Sequence, residues 1–95
     1  MTDASDLLHF VVLLTYRAPL ADIDAALPAH RAFLDEAYAD GVFLLSGPRA
    51  PRTGGVILAR ARSEHELRVR LTRDPFARAN LATYDLVAFT PTRRA

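Results

Sequence analysis

The sequence predicts a small α+β domain, and three observations carry that prediction. Four short runs have strand character, two stretches have the period of a helical face, and turn signals separate them in the order strand, helix, strand, strand, helix, strand. Ninety-five residues are the size of one ordinary domain, in which roughly two-thirds of the unfolded surface becomes buried. Residues 1–95 are therefore expected to share one core. At 51% hydrophobic and 24% charged, the chain has the apolar material to offset chain entropy and is not a disordered segment.

From Leu8 to Arg17 the run LHFVVLLTYR is rich in β-branched and aromatic residues and ends at Ala18-Pro19, so it reads as the first strand. Both of its faces, Leu8, Phe10, Val12, Leu14, Tyr16 and His9, Val11, Leu13, Thr15, Arg17, are apolar in the middle. Such a strand must be covered on both sides. Ile23, Leu27, His30, Leu34 and Tyr38 then recur at the period of one helical face. A proline inside a helix costs ~3 kcal/mol but is favoured at its first position. Pro28 is therefore expected to start the main helix, which runs to about Asp40 after a separate helical turn over 21–27.

Gly41 supplies a left-handed cap, and Val42 to Ser46 follow as the second strand. A long hairpin from Gly47-Pro48 through Thr53 leads to the third strand, Val56 to Ala61, which Gly54-Gly55 opens. Ser63 with Glu66 makes the S-x-x-E pattern that satisfies free amides at a helix start. Leu67 and Leu71 form the apolar stripe of this second helix, and Pro75 stops it. A brief helical turn over Ala77 to Asn80 leads to the last strand, Thr83 to Phe89.

This order is the split βαβ, or ferredoxin-like, arrangement. Right-handed crossovers place both helices on one face of the sheet. No further element remains to cover the other face, which would expose more than the ~300–600 Å² apolar patch of a typical monomer. A homodimer with the helix-free faces together is the simplest cover.

Several function classes are disfavoured. The chain has no cysteine, which excludes disulfides, thiolate metal sites and thiol nucleophiles. No run reaches the ~18 apolar residues of a membrane span, and Met1 to Asp6 is polar and acidic rather than a secretory signal, so a cytoplasmic protein without membrane contact is expected. The basic residues number twelve, all arginine, for a formal net charge of +1. Six of them, Arg60, Arg62, Arg68, Arg70, Arg73 and Arg78, are clustered, but Glu64, Glu66 and Asp74 interrupt the cluster and no aromatic stacking motif is interleaved, which argues against nucleic acid. His9, His30 and His65 share no metal-ligand spacing, and Gly54-Gly55 lacks a phosphate-loop pattern. Neither a metal nor a nucleotide cofactor is expected.

His30 stands in the apolar stripe where a leucine would pack at lower polar cost. A buried imidazole needs a partner. It is either a core histidine bonded to a backbone carbonyl or a group that moves protons near neutral pH. Asp74, before Pro75, has the form of a helix N-cap. Ser46, Gly47 and Pro48 end a strand where a hydroxyl and free amides can line a pocket mouth, although no G-x-S-x-G surrounds the serine. Arg49 and Arg52 on the following loop would either meet an anionic ligand or remain solvated.

PAHRAFL at 28–34, LLSGP at 44–48, Gly54-Gly55-Val56-Ile57 and Asp74-Pro75-Phe76 occur in this order, and together they resemble the YciI-like (YCII-related) family. The similarity extends from the first strand to Phe89-Thr90-Pro91. It implies a dimeric α+β barrel of ferredoxin-like subunits. It also implies that the helix histidine and the aspartate of D-P-F, here His30 and Asp74, form an active pair. The family in turn resembles a dehydrochlorinase of a chlorinated hydroxyquinol, which implies acid–base work on small cyclic or aromatic compounds. Two functions follow as expectations: a dimeric enzyme of lyase, isomerase or hydrolase type, or a non-catalytic module that holds a small molecule in the same cleft or supports a partner protein.

Overall fold

A computed structural model describes residues 7–95. The expectation for Met1 to Asp6 lies outside the described residues. The chain runs β1 (Leu8–Tyr16), α1 (Leu20–Ala39), β2 (Phe43–Pro48), β3 (Gly54–Ala61), α2 (Glu64–Leu71), α3 (Pro75–Arg78) and β4 (Ala82–Phe89). The four strands form one antiparallel sheet in the order β2-β3-β1-β4, the expected α+β, ferredoxin-like arrangement. No helix among the described residues is long and apolar enough to cross a membrane.

The pleat sorts β1 into two faces. Phe10, Val12 and Leu14 are buried against the helices, opposite Ala59 and Ile57 on β3. From the helical layer Ile23, Phe33, Ala37, Leu67, Leu71 and Phe76 complete this core. The other face carries Val11 and Leu13, flanked by Leu58 and Val56 on β3 and by Val87 on β4, and no described element covers it. On it Val87 is 56% exposed and Leu45 of β2 is 68% exposed.

Local signals account for most boundaries. Gly41 adopts φ 74°, the left-handed conformation that ends α1. Ser63 accepts a hydrogen bond from the Glu66 amide and starts α2, whose Leu67 and Leu71 are buried.

Three expectations need correction. Residues 20–39 form one helix, with Pro28 inside it rather than at its start. Pro28 lies on the exposed side, where water can meet the carbonyl that loses its amide partner, so Ile23 and His30 stay on one buried face. The buried stripe runs through Phe33 and Ala37 rather than Leu34 and Tyr38, which are half-buried and exposed. Finally, α2 ends at Leu71, before Pro75 acts. Pro75 opens α3 behind the Asp74 cap, as the Asp-Pro step predicts, so the helical turn begins two residues earlier than Ala77. The strands differ less: β2 reaches Pro48 and β3 begins at Gly54, which shortens the hairpin loop between them.

Candidate active site

α1 carries His30 on its buried face, and the Asp74-Pro75 step turns the chain from α2 into α3 beneath it. Asp74 is the N-cap residue of α3, and its Oδ1 accepts the Phe76 amide at 3.0 Å. The same oxygen accepts Nδ1 of His30 at 2.8 Å. The second oxygen, Oδ2, accepts the Tyr84 hydroxyl from β4 at 2.6 Å. Asp74 is entirely buried, and both of its oxygens act as acceptors, the pattern of a carboxylate rather than a carboxylic acid. Three donors thus compensate the removal of this group from water.

The imidazole is fixed from a second direction. Its ring stacks on Phe76 at 4.0 Å between centroids, with 6° between the planes. Phe76 is held in turn by the edge of Tyr16, at 6.0 Å and 86°. With Asp74 as acceptor, neutral His30 carries its proton on Nδ1 and its lone pair on Nε2. Nε2 makes no hydrogen bond among the described residues, yet it is not one of the sealed, unpartnered polar atoms. Burial, followed by the bond to Asp74, holds the Tyr84 hydroxyl far above the ordinary tyrosine range, so it remains a donor.

His30 lines a cleft with about 140 Å³ of free space. Leu14, Leu34, Ile57 and Phe76 supply apolar walls, and Ser46, Gly47 and Pro48 form the side opposite α1. The structure therefore brings Ser46, Gly47 and Pro48 to the same cleft as His30, with Asp74 directly behind the histidine. Ser46 Oγ lies 2.6 Å from the Tyr38 hydroxyl. The ring partner of His30 is thus a carboxylate rather than a backbone carbonyl, the other partner considered for it.

Arg49 and Arg52 do not line this cleft. Arg52 pairs with Asp24 of α1 at 2.5 Å, and Arg49 approaches the Thr15 hydroxyl at 3.4 Å. The cation at the cleft is Arg31, which no local motif distinguishes from a solvated helix arginine. Tyr16, Tyr38 and Tyr84 were equally silent in the sequence, although Tyr84 shares the helix-facing parity of β4 with Ala82. Among the described residues no three His, Asp or Glu side chains gather as a metal-ligand set.

The fold has solved counterparts. The chain is similar to 5-chloro-2-hydroxyhydroquinone dehydrochlorinase (TftG) from Burkholderia phenoliruptrix AC1100, solved in complex with 2,5-dihydroxybenzoquinone. The TM-score is 0.73 at 21% identity, over 85% of this chain and 92% of that one. It is also similar to SnoaB, a cofactor-independent oxygenase from Streptomyces nogalater, with a TM-score of 0.52 at 19% identity over 94% and 96% of the two chains. At these identities the likeness establishes the fold alone. No curated protein matches the sequence. Residues 9–90 match the YCII-related domain, nearly the whole chain, and the protein therefore belongs to the YCII-related domain family.

Proposed function

We propose that this protein is an acid–base enzyme for small organic substrates, with His30 as the proton-transfer group and Asp74 as its positioning partner. The observation that carries this reading is the asymmetry of the imidazole. Nδ1 is tied to a wholly buried carboxylate, while Nε2 is left for the cleft that His30 lines. Nε2 takes a proton from the substrate, and the Nδ1–H···Asp74 bond stabilises the imidazolium that forms. Removing a proton beside a leaving group gives elimination, and returning it to a second atom gives isomerisation.

The cleft favours a single ring. Apolar cavities of about 150 Å³ accommodate a benzene-sized molecule, and this one has about 140 Å³ between largely apolar walls. Ser46, paired with Tyr38, offers a hydroxyl to a polar substituent, and the Arg31 guanidinium offers charge to an anionic oxygen. The fold likeness to a dehydrochlorinase bound to a dihydroxybenzoquinone supports hydroxylated rings as the first substrates to test.

The working unit in this reading is a homodimer. Val11, Leu13, Leu45, Leu58 and Val87 make the helix-free face of the sheet apolar, and a second copy of the same face would remove it from water.

The test is a panel of halogenated and unhalogenated hydroxyquinols and hydroxyquinones, followed by ultraviolet absorbance and by halide release. The expected result is turnover by the wild-type protein and a loss of ~100-fold or more in His30→Gln with the fold intact. Turnover retained in His30→Gln would overturn the acid–base role. Saturable binding without turnover across the panel would favour the binding-module reading instead.

A further inference from the structure

The carboxylate behind His30 has a second side. Oδ1 already serves two donors, and Oδ2 has the Tyr84 hydroxyl as its one partner among the described residues, at 2.6 Å. Tyr84 comes from β4, an element that does not line the cleft, and its outer side borders a separate groove with Arg68, Leu71, Thr72 and Ala77. His30, Asp74 and Tyr84 thus form one hydrogen-bonded chain that runs from the cleft, through a fully buried carboxylate, to a residue that borders a separate groove.

We propose that Tyr84 is a positioning residue of this site, a third member that holds Asp74 in place and lowers the proton affinity of the His30–Asp74 pair. The proposal rests on the acid–base reading of His30 and extends it. The physical argument concerns shared charge. A carboxylate with no water around it distributes its negative charge among its donors, and each strong donor weakens it as an acceptor for the others. Without the Tyr84 hydroxyl, Oδ2 has no partner, and the pair compensates by binding a proton more tightly. The hydroxyl also sets the rotation of the carboxylate, and so the direction in which Oδ1 meets Nδ1.

Arg31 of α1 and Tyr16 of β1 line the cleft with His30, and Arg68 of α2 borders the groove with Tyr84. None of them hydrogen-bonds Asp74, so Tyr84 is the residue through which the carboxylate can be tuned without altering the cleft.

The experiment is the titration of the His30 ring nitrogens by NMR in the intact protein, compared among wild type, Tyr84→Phe and a chain with 3-fluorotyrosine at position 84. Tyr84→Phe removes the donor and is expected to raise the midpoint by about one pH unit, the size of one lost hydrogen bond to a charged group. The fluorinated phenol is a stronger donor of nearly the same shape and should move the midpoint downward. A structural packing role would not produce shifts of opposite sign. An unchanged midpoint in both proteins, with circular dichroism showing both folded, would overturn the proposal. Because the titration needs no substrate, its failure is distinct from that of the acid–base reading. Shifted midpoints with turnover retained in His30→Gln would leave Tyr84 in place and remove the catalytic role of the histidine. Unshifted midpoints with turnover lost in His30→Gln would do the reverse.

Discussion

Replacing Asp74 by alanine removes the acceptor for three donors at once: the Phe76 amide, the His30 ring and the Tyr84 hydroxyl. Loss of a helix N-cap costs about 1 kcal/mol. Each of the other two donors can regain part of its hydrogen bonding from water, since His30 borders the cleft and Tyr84 the outer groove, so about 1 kcal/mol each is appropriate. Together these amount to about 3 kcal/mol, a large share of the 5–15 kcal/mol typical of a domain. For a chain of this length that lowers Tm by roughly 12–24 °C. In Asp74→Asn the carbonyl oxygen can still accept from Phe76 and His30. The amide nitrogen then faces Tyr84, whose hydroxyl can become the acceptor and donate outward to water. That variant should lose only about 1 kcal/mol. The assay is urea unfolding followed by circular dichroism at one fixed protein concentration, so that any dimer contributes equally. If asparagine is as damaging as alanine, the acceptor geometry is not what Asp74 contributes and its charge is.

The helix-free face gives a second prediction: sedimentation should report twice the 10.5 kDa chain mass, and Val87→Glu should release the monomer. A monomeric wild-type protein at micromolar concentration would refute it. His9, on that same face, is buried with neither ring nitrogen hydrogen-bonded among the described residues, and burial, with Arg94 and Arg60 nearby, holds its pKa below the ordinary histidine value. Its folded pKa lies under its unfolded one, so the unfolded chain binds the proton first. Stability should therefore fall as pH drops below about 6.5, until the folded state also protonates. His9→Phe should flatten that slope, and an unchanged slope would show that His9 is not its source. At the start of β3, a Cβ on Gly54 would stand 1.8 Å from the Leu14 carbonyl oxygen, whereas one on Gly47 would meet nothing within 4 Å. Gly54→Ala is expected to lower Tm strongly and Gly47→Ala hardly at all, and equal effects in thermal unfolding would contradict the close approach of β1 and β3.

How much could be read from the sequence depended on how far apart the deciding residues lie. The S-x-x-E start of α2, the glycine after α1 and the Asp-Pro cap are settled within a few residues, because a cap or a left-handed turn is satisfied by its own neighbours. The apolar character of β1 on both faces was also plain, and with it the two-sided sheet. His30 was conspicuous because an imidazole in an apolar stripe needs a partner, and the family resemblance supplied Asp74 as that partner. Pro28 misled because its cost depends on whether its turn faces water, which the local sequence does not state. Tyr84, Arg31 and the Ser46–Tyr38 pair were hidden for a different reason. Nothing in a strand tyrosine or a helix arginine distinguishes a site residue from a surface one until the sheet order is set. From the sequence alone come the α+β class, the element order, the caps that start α2 and α3, the glycine that ends α1 and the histidine that demanded an explanation. The folded chain adds the geometry of the His30–Asp74 pair, a direct 2.8 Å contact across 44 residues, and a tyrosine from β4 that holds the carboxylate's far side. Such contacts arise from packing between elements, and no local pattern encodes the pairing of residues that only the sheet and helices bring together.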